Sequence, residues 1–178
     1  MLSSDTKIRS RAILLCLTCL LASCGFHLRG TQNAVAADFN TIHISANGEM
    51  LALLRRGFQR ANKEVTTTAS AAEYSLVVSG IRNSRRAVAT TSNISVAEYE
   101  LVQVVDVRLL SHDRVEVIPA VRVATERSYS FDNENLESSS EEEALLREEM
   151  RRDLSEQILR RVNISITNYQ NSRENISG

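Results

Sequence analysis

Tryptophan is absent from the 178 residues, proline occurs once, and aromatic side chains make up 4% of the chain. That poverty argues against a disordered tail protein and an aromatic-lined platform for sugars or bases. Glycine is scarce too, at six residues, which excludes a collagen-like repeat. Neither sign of charge dominates: the formal net charge is −1 and the pI ≈ 6.3, so no basic surplus exists for gripping nucleic acid, and no nucleic-acid partner is expected. What is present is a globular composition, 43% apolar and 24% charged, in a length suited to one ordinary domain.

Cysteine is missing from everything after residue 24. Cys16, Cys19 and Cys24 all precede the body of the chain, so no disulfide can staple a domain of about 150 residues. Lys7, Arg9 and Arg11 stand before the ten-residue apolar run Ala12–Leu21, which is too short to span a bilayer but suits the core of an export signal. The run ends in Leu21-Ala22-Ser23-Cys24, which resembles the lipobox of bacterial lipoproteins: a leucine, two small residues that fit a signal-peptidase groove, then cysteine. In proteins of that class the thiol receives diacylglycerol, the chain is cut before the cysteine, and the new amino group is acylated. Cys24 is therefore the expected lipidation site and residues 1–23 the signal peptide. Cys16-Leu17-Thr18-Cys19 has the spacing of a redox or zinc motif, but it lies inside the signal and leaves with it. Gly25 in place of an aspartate resembles the default pattern for sorting to the outer membrane. Two or three acyl chains would hold the protein there stably, where one would not. Cleavage takes three basic and one acidic side chain from the chain's 21 and 22, leaving a mildly acidic mature domain.

Residues 24–37 form the expected lipidated tether, and a domain over 38–164 follows. Ile42 and Ile44 share one face of a β-branched segment at 39–45, read as the first strand. From Met50 the spacing turns helical through Leu51, Leu54, Phe58 and Ala61, with Asn47 placed to cap, so a helix is expected near 48–62. Gly57 within it costs about 1 kcal/mol relative to alanine, so either close packing against the sheet compensates or the helix is weak there. Glu73 to Thr90 is one long strand or two short ones. Val96 to Leu110 alternates most clearly, Tyr99, Leu101, Val105, Val107 and Leu109 against Glu98, Glu100, Asp106 and Arg108, with Gln103 alone breaking the apolar face. Val115 to Phe131 resumes the alternation, and Pro119, lacking an N–H, puts that strand at an edge or in a bulge. Ser138, Ser139 and Ser140 before Glu141, Glu142 and Glu143 offer overlapping capping boxes. Leu146, Met150, Leu154, Ile158 and Val162 then repeat every fourth residue along a helix expected from about 141 to 163, as a core stripe. The tail 165–178, rich in Asn, Ser and Thr without apolar period, is expected to be frayed.

The order β-α-β-β-β-α implies an α+β fold, two helices on one face of a mostly antiparallel sheet, with at least one parallel pairing where a helix joins the first two strands. His27, His43 and His112 have no metal-ligand spacing. No nucleophile elbow, glycine-rich phosphate loop or zinc-protease helix occurs, and the three glutamates are better explained by helix-start electrostatics than by acid–base work. No enzyme, metal or cofactor is expected.

Directly after the lipobox, Cys24-Gly25-Phe26-His27-Leu28-Arg29-Gly30 closely resembles the Cys-Gly-aromatic-His-Leu-Arg opening of the LptE family of LPS-assembly lipoproteins. Ala97-Glu98-Tyr99, Phe131-Asp132-Asn133, Glu149-Met150 and Glu156-Gln157-Ile158-Leu159 resemble the same family in the same order. The resemblance implies two helices on a four-stranded mixed sheet. It also implies an outer-membrane lipoprotein that plugs and helps assemble the LptD β-barrel and assists LPS delivery to the cell surface. The partners so implied are LptD, LPS and the membrane through the lipid anchor. The polar face bearing Glu98, Glu100, Asp106 and Arg108 suits a hydrated barrel lumen. A free-standing periplasm-facing lipoprotein that binds an envelope ligand without a barrel would show the same face. An LPS site needs guanidinium forks near apolar surface, and Arg82, Arg85 and Arg86 beside Val88 are the densest such group in the strands, so they are the expected LPS-binding residues.

Overall fold

The computed structural model describes residues 37–90, 96–132 and 134–177; the expected signal peptide, most of the expected tether, Cys24, His27 and Arg29 lie outside them. β1 (Thr41–Ser45) turns Ile42 and Ile44 into the core. Asn47 occupies the N-cap of α1 (Gly48–Arg60) in an extended conformation, without a side-chain capping bond, and the helix buries Met50, Leu54, Gly57 and Phe58. A Cβ at Gly57 would lie 2.3 Å from Leu159 Cδ1. The expected close packing is therefore present, but against the second helix rather than the sheet.

The sheet has five strands where the sequence predicts four. The addition is β2 (Glu64–Thr66), paired parallel to β1 from Thr41↔Glu64 to His43↔Thr66. Three residues with one apolar side chain are too few to show alternation, so β2 leaves no periodic signal. A 3₁₀ turn at Ala69–Ala71 leads to β3 (Tyr74–Thr90), β4 (Val96–Ser111) and β5 (Glu116–Asp132). Spatial order is β2-β1-β3-β4-β5, with β1 parallel to both neighbours and the remaining pairs antiparallel. β5 is an edge strand, and Pro119 falls where its register with β4 slips between Val107↔Val121 and Leu109↔Ile118, both as the missing N–H requires.

β3 is one strand with a built-in inversion. Between Ser79↔Asp106 and Arg82↔Val104 it carries one residue more than β4, and Gly80 there has φ +61, the left-handed conformation that glycine adopts without cost. Before this bulge Tyr74, Leu76 and Val78 face the helices. After it the register puts Asn83, Arg85 and Ala87 on that face and Arg82, Ser84 and Arg86 on the other.

α2 (Leu136–Ser177) is longer at both ends than expected. It opens at Asn135, whose carbonyl accepts the Ser139 N–H. Ser139 Oγ serves not as a helix cap but as acceptor for the Asp132 N–H at the end of β5. At the other end the expected frayed tail is helical through Ser177. Ile166 continues the stripe of Met150, Leu154, Ile158 and Val162, all fully buried. Tyr169 packs on the core, and Gln170 Nε2 donates to the Asp38 carbonyl. Tertiary anchors override the weak helix propensity of the Asn, Ser and Thr residues here.

The interior is divided. The larger core joins β1, α1, the first half of β3 and the second half of α2. A smaller one gathers Leu101, Tyr129 and Met150 with Tyr99, Phe131 and Leu146. Buried Gln103 and Thr125, paired across β4 and β5, lie between the two along the sheet.

Candidate ligand and partner surfaces

Both helices pack into the core from one side of the sheet, and the opposite face carries charge arranged in ion pairs. Arg82 reaches Asp106 at 3.1 Å, Arg122 approaches the same carboxylate at 3.6 Å, and Arg86 Nε meets Glu100 at 2.5 Å. The bond from Arg82, reinforced by Arg122, holds the Asp106 carboxyl below its ordinary value. The bond to Glu100 raises Arg86. Such exposed pairs add little stability each, but together they make a face that is polar and of mixed charge.

Arg85 is on the other side. It stacks over Tyr99 at 4.0 Å and Phe131 at 5.3 Å, and its Nη1 donates to Glu143 Oε2 at 2.9 Å. Glu143 also accepts the Tyr129 hydroxyl and, on its other oxygen, Arg147 Nη2 at 2.6 Å and Nε at 2.9 Å. Burial would raise the Glu143 carboxyl, but the bonds from Tyr129, Arg147 and Arg85 outweigh it and hold it low. Burial and the neighbouring carboxylate push the Tyr129 phenol up to about 12.

The three arginines that the sequence groups together are therefore not one patch. Arg82 and Arg86 share the open face, Arg85 sits under the helix layer, and each is engaged by a carboxylate. The residue that sequence reasoning assigned to helix-start electrostatics, Glu143, is the centre of the network. Its i,i+4 spacing to Arg147 is visible in sequence, whereas its bonds to Arg85 and Tyr129 depend on the Gly80 inversion and on the strand register.

A cleft of about 640 Å³ opens between the helices, with Arg56 and Arg60 of α1 on one side and Arg152, Ser155 and Glu156 of α2 on the other. A smaller hollow of about 360 Å³ follows on α2 beside Arg160, Arg161 and Ile164. Where the described chain begins, Ala37 N–H donates to Asn163 Oδ1 at 2.7 Å, while Lys63 Nζ donates to the carbonyls of Ala37 at 3.1 Å and Phe39 at 2.5 Å. The start of the described chain is thus fixed to α2. Among the described residues no three His, Cys, Asp or Glu side chains are placed to hold a metal, and no helix is long and apolar enough to cross a membrane.

The family model LptE, described as lipopolysaccharide-assembly, matches residues 39–162. Among solved structures, lipoprotein B of Nitrosomonas europaea is 27% identical, with 78% of this chain and 90% of that one covered and a TM-score of 0.59. Rare lipoprotein B of Shewanella oneidensis is 22% identical over 74% of this chain and 99% of its own, with a TM-score of 0.66. A minor lipoprotein of Acinetobacter baumannii is 16% identical over 71% and 92%, at 0.58. The latter two support the fold. No curated protein matches the chain.

Proposed function

The chain belongs to the LptE lipopolysaccharide-assembly family, and from that premise we propose that it is an outer-membrane lipoprotein, anchored through Cys24, that plugs and helps assemble the LptD β-barrel and assists LPS delivery to the cell surface. The family match over residues 39–162 carries this reading. The role is structural rather than enzymatic: the protein contributes a surface, and LptD contributes the wall around it. A plug must meet a hydrated lumen, and the open face, polar and of mixed charge, with Arg82, Arg122 and Asp106 joined and Arg86 held by Glu100, suits one. Arg82, Arg85 and Arg86 are proposed LPS contacts on the condition that phosphate displaces their present carboxylate partners.

The test is extraction of the outer membrane in detergent followed by affinity capture of this chain. Co-purification of a large, heat-modifiable β-barrel is expected, together with a triacylated or diacylated Cys24 by mass spectrometry. Capture of the lipidated chain without any barrel would leave a free-standing lipoprotein. A bare Cys24, or an intact signal, would remove the anchor.

A further inference from the structure

Among the described residues, nine arginines lie within ion-pair distance of a carboxylate. Arg55, Arg56, Arg60, Arg108, Arg114 and Arg161 show no such partner there, and four of these six are on the helix layer. The unneutralised positive charge of this net acidic domain is thus concentrated on the helices, away from the arginines that sequence density singles out.

Arg56 and Arg60 are one turn apart, both exposed, and both line the cleft of about 640 Å³ between α1 and α2. Arg60 Nε donates to the Arg56 carbonyl at 3.4 Å, which turns its guanidinium back along α1 toward Arg56. The cleft's one carboxylate, Glu156, is engaged by Arg160 at 3.4 Å, and Arg152 by Glu148. Two guanidinium forks therefore face a concavity whose own acid already has a partner. A flat basic ridge would suit an acidic protein. A hollow of this size, with Leu53 in its wall and Ile164 54% exposed in the hollow beyond, suits a compact headgroup that carries phosphate beside apolar chain.

We infer that the α1–α2 cleft is a phosphate-binding site for the LPS headgroup, with Arg56 and Arg60 as its ligands. The inference rests on the proposed LPS-handling role and gives that role a site distinct from Arg82, Arg85 and Arg86.

The experiment compares LPS binding by the full lipidated protein in detergent with that of R56A/R60A, R56K/R60K and R85A/R86A, each checked by its melting temperature. R56A/R60A is expected to keep its melting temperature and to bind LPS about tenfold or more weakly, the loss expected for charge-assisted contacts to phosphate. R56K/R60K should recover part of that loss, since charge is restored without the fork, and millimolar inorganic phosphate should compete with LPS on the wild type and not on R56A/R60A. Undiminished LPS binding by R56A/R60A, with a loss in R85A/R86A, overturns the cleft and leaves the strand arginines as the site. Loss of the barrel complex with LPS binding intact makes the face a protein contact and likewise overturns it. Wild-type protein that binds no LPS refutes the LPS-handling role itself, a result separable from either of the others.

Discussion

Glu143 shows how far a single residue can be read before the fold is known. In sequence it is the third of three glutamates at a helix start; in the structure it accepts from Arg85, Arg147 and Tyr129 at once. The difference comes from Gly80, whose left-handed backbone inverts β3 and delivers Arg85 to the helix side. Nothing in the spacing of Arg82, Arg85 and Arg86 announces that inversion, because a bulge shifts parity without changing composition. Tyr129→Phe should destabilise the domain by about 1–2 kcal/mol in urea unfolding at neutral pH, since Glu143 loses one charge-assisted bond but keeps its arginines. The pH dependence has a definite sign. The Tyr129 phenol is raised from 10.0 to about 12, so its contribution is complete below pH 10 and is lost as pH climbs from 10 through about 12. Glu143 is lowered, so its contribution is complete above its ordinary carboxyl value and is lost as pH falls through the lower, folded one. Wild type should therefore weaken more steeply than Tyr129→Phe between pH 10 and 12; parallel alkaline curves would detach the phenol from this network.

Elements with a clean period were legible, and those held only by their surroundings were not. β4 alternates over sixteen residues, the stripe of α2 recurs every four, and β5 alternates after Pro119, so these elements follow from pattern; before Pro119 the register slip reverses the faces, burying Ile118 and leaving Val115, where the alternation begins in sequence, exposed and outside the strand. β2 is a three-residue strand drawn into place by β1, and residues 165–177 are helical because Ile166, Tyr169 and Gln170 find partners in the core and at Asp38. A four-residue stripe drifts by about 40° per step on a 3.6-residue helix, so the buried line winds around α2 along its length. The anchoring of the last turns is measurable. Ile166→Ala should cost about 2–5 kcal/mol, as much as Leu154→Ala, because both side chains are fully buried and leave a cavity. A frayed tail would show no loss on Ile166→Ala, and thermal melts of the two variants decide between these outcomes.

At the scale of the molecule, α2 runs about 63 Å and ties together two cores of very different size. Among the described residues nineteen make the larger buried core and three the smaller, so the described far half of the β3–β4–β5 ribbon has much less apolar burial to resist opening. Gln103 stands between them along β4, fully buried. Its Nε2 donates to the Arg147 carbonyl at 3.2 Å while its Oε1 has no partner among the described residues, a polar interruption between the two apolar clusters. Under the proposed plug role, this division lets the base stay folded while the far end adjusts to its partner. Native-state hydrogen exchange should therefore show amides near Leu101 and Tyr129 opening at lower free energy than those of Leu76, Val105 and Val107. Gln103→Leu removes the orphaned oxygen and joins the apolar surfaces, so it should leave global stability equal or up to about 2 kcal/mol higher and bring the two sets of amides closer together. Uniform protection along β4 in the wild type would mean a single cooperative core. A Gln103→Leu variant that unfolds more easily would make the bond to Arg147 a stabilising contact rather than an interruption.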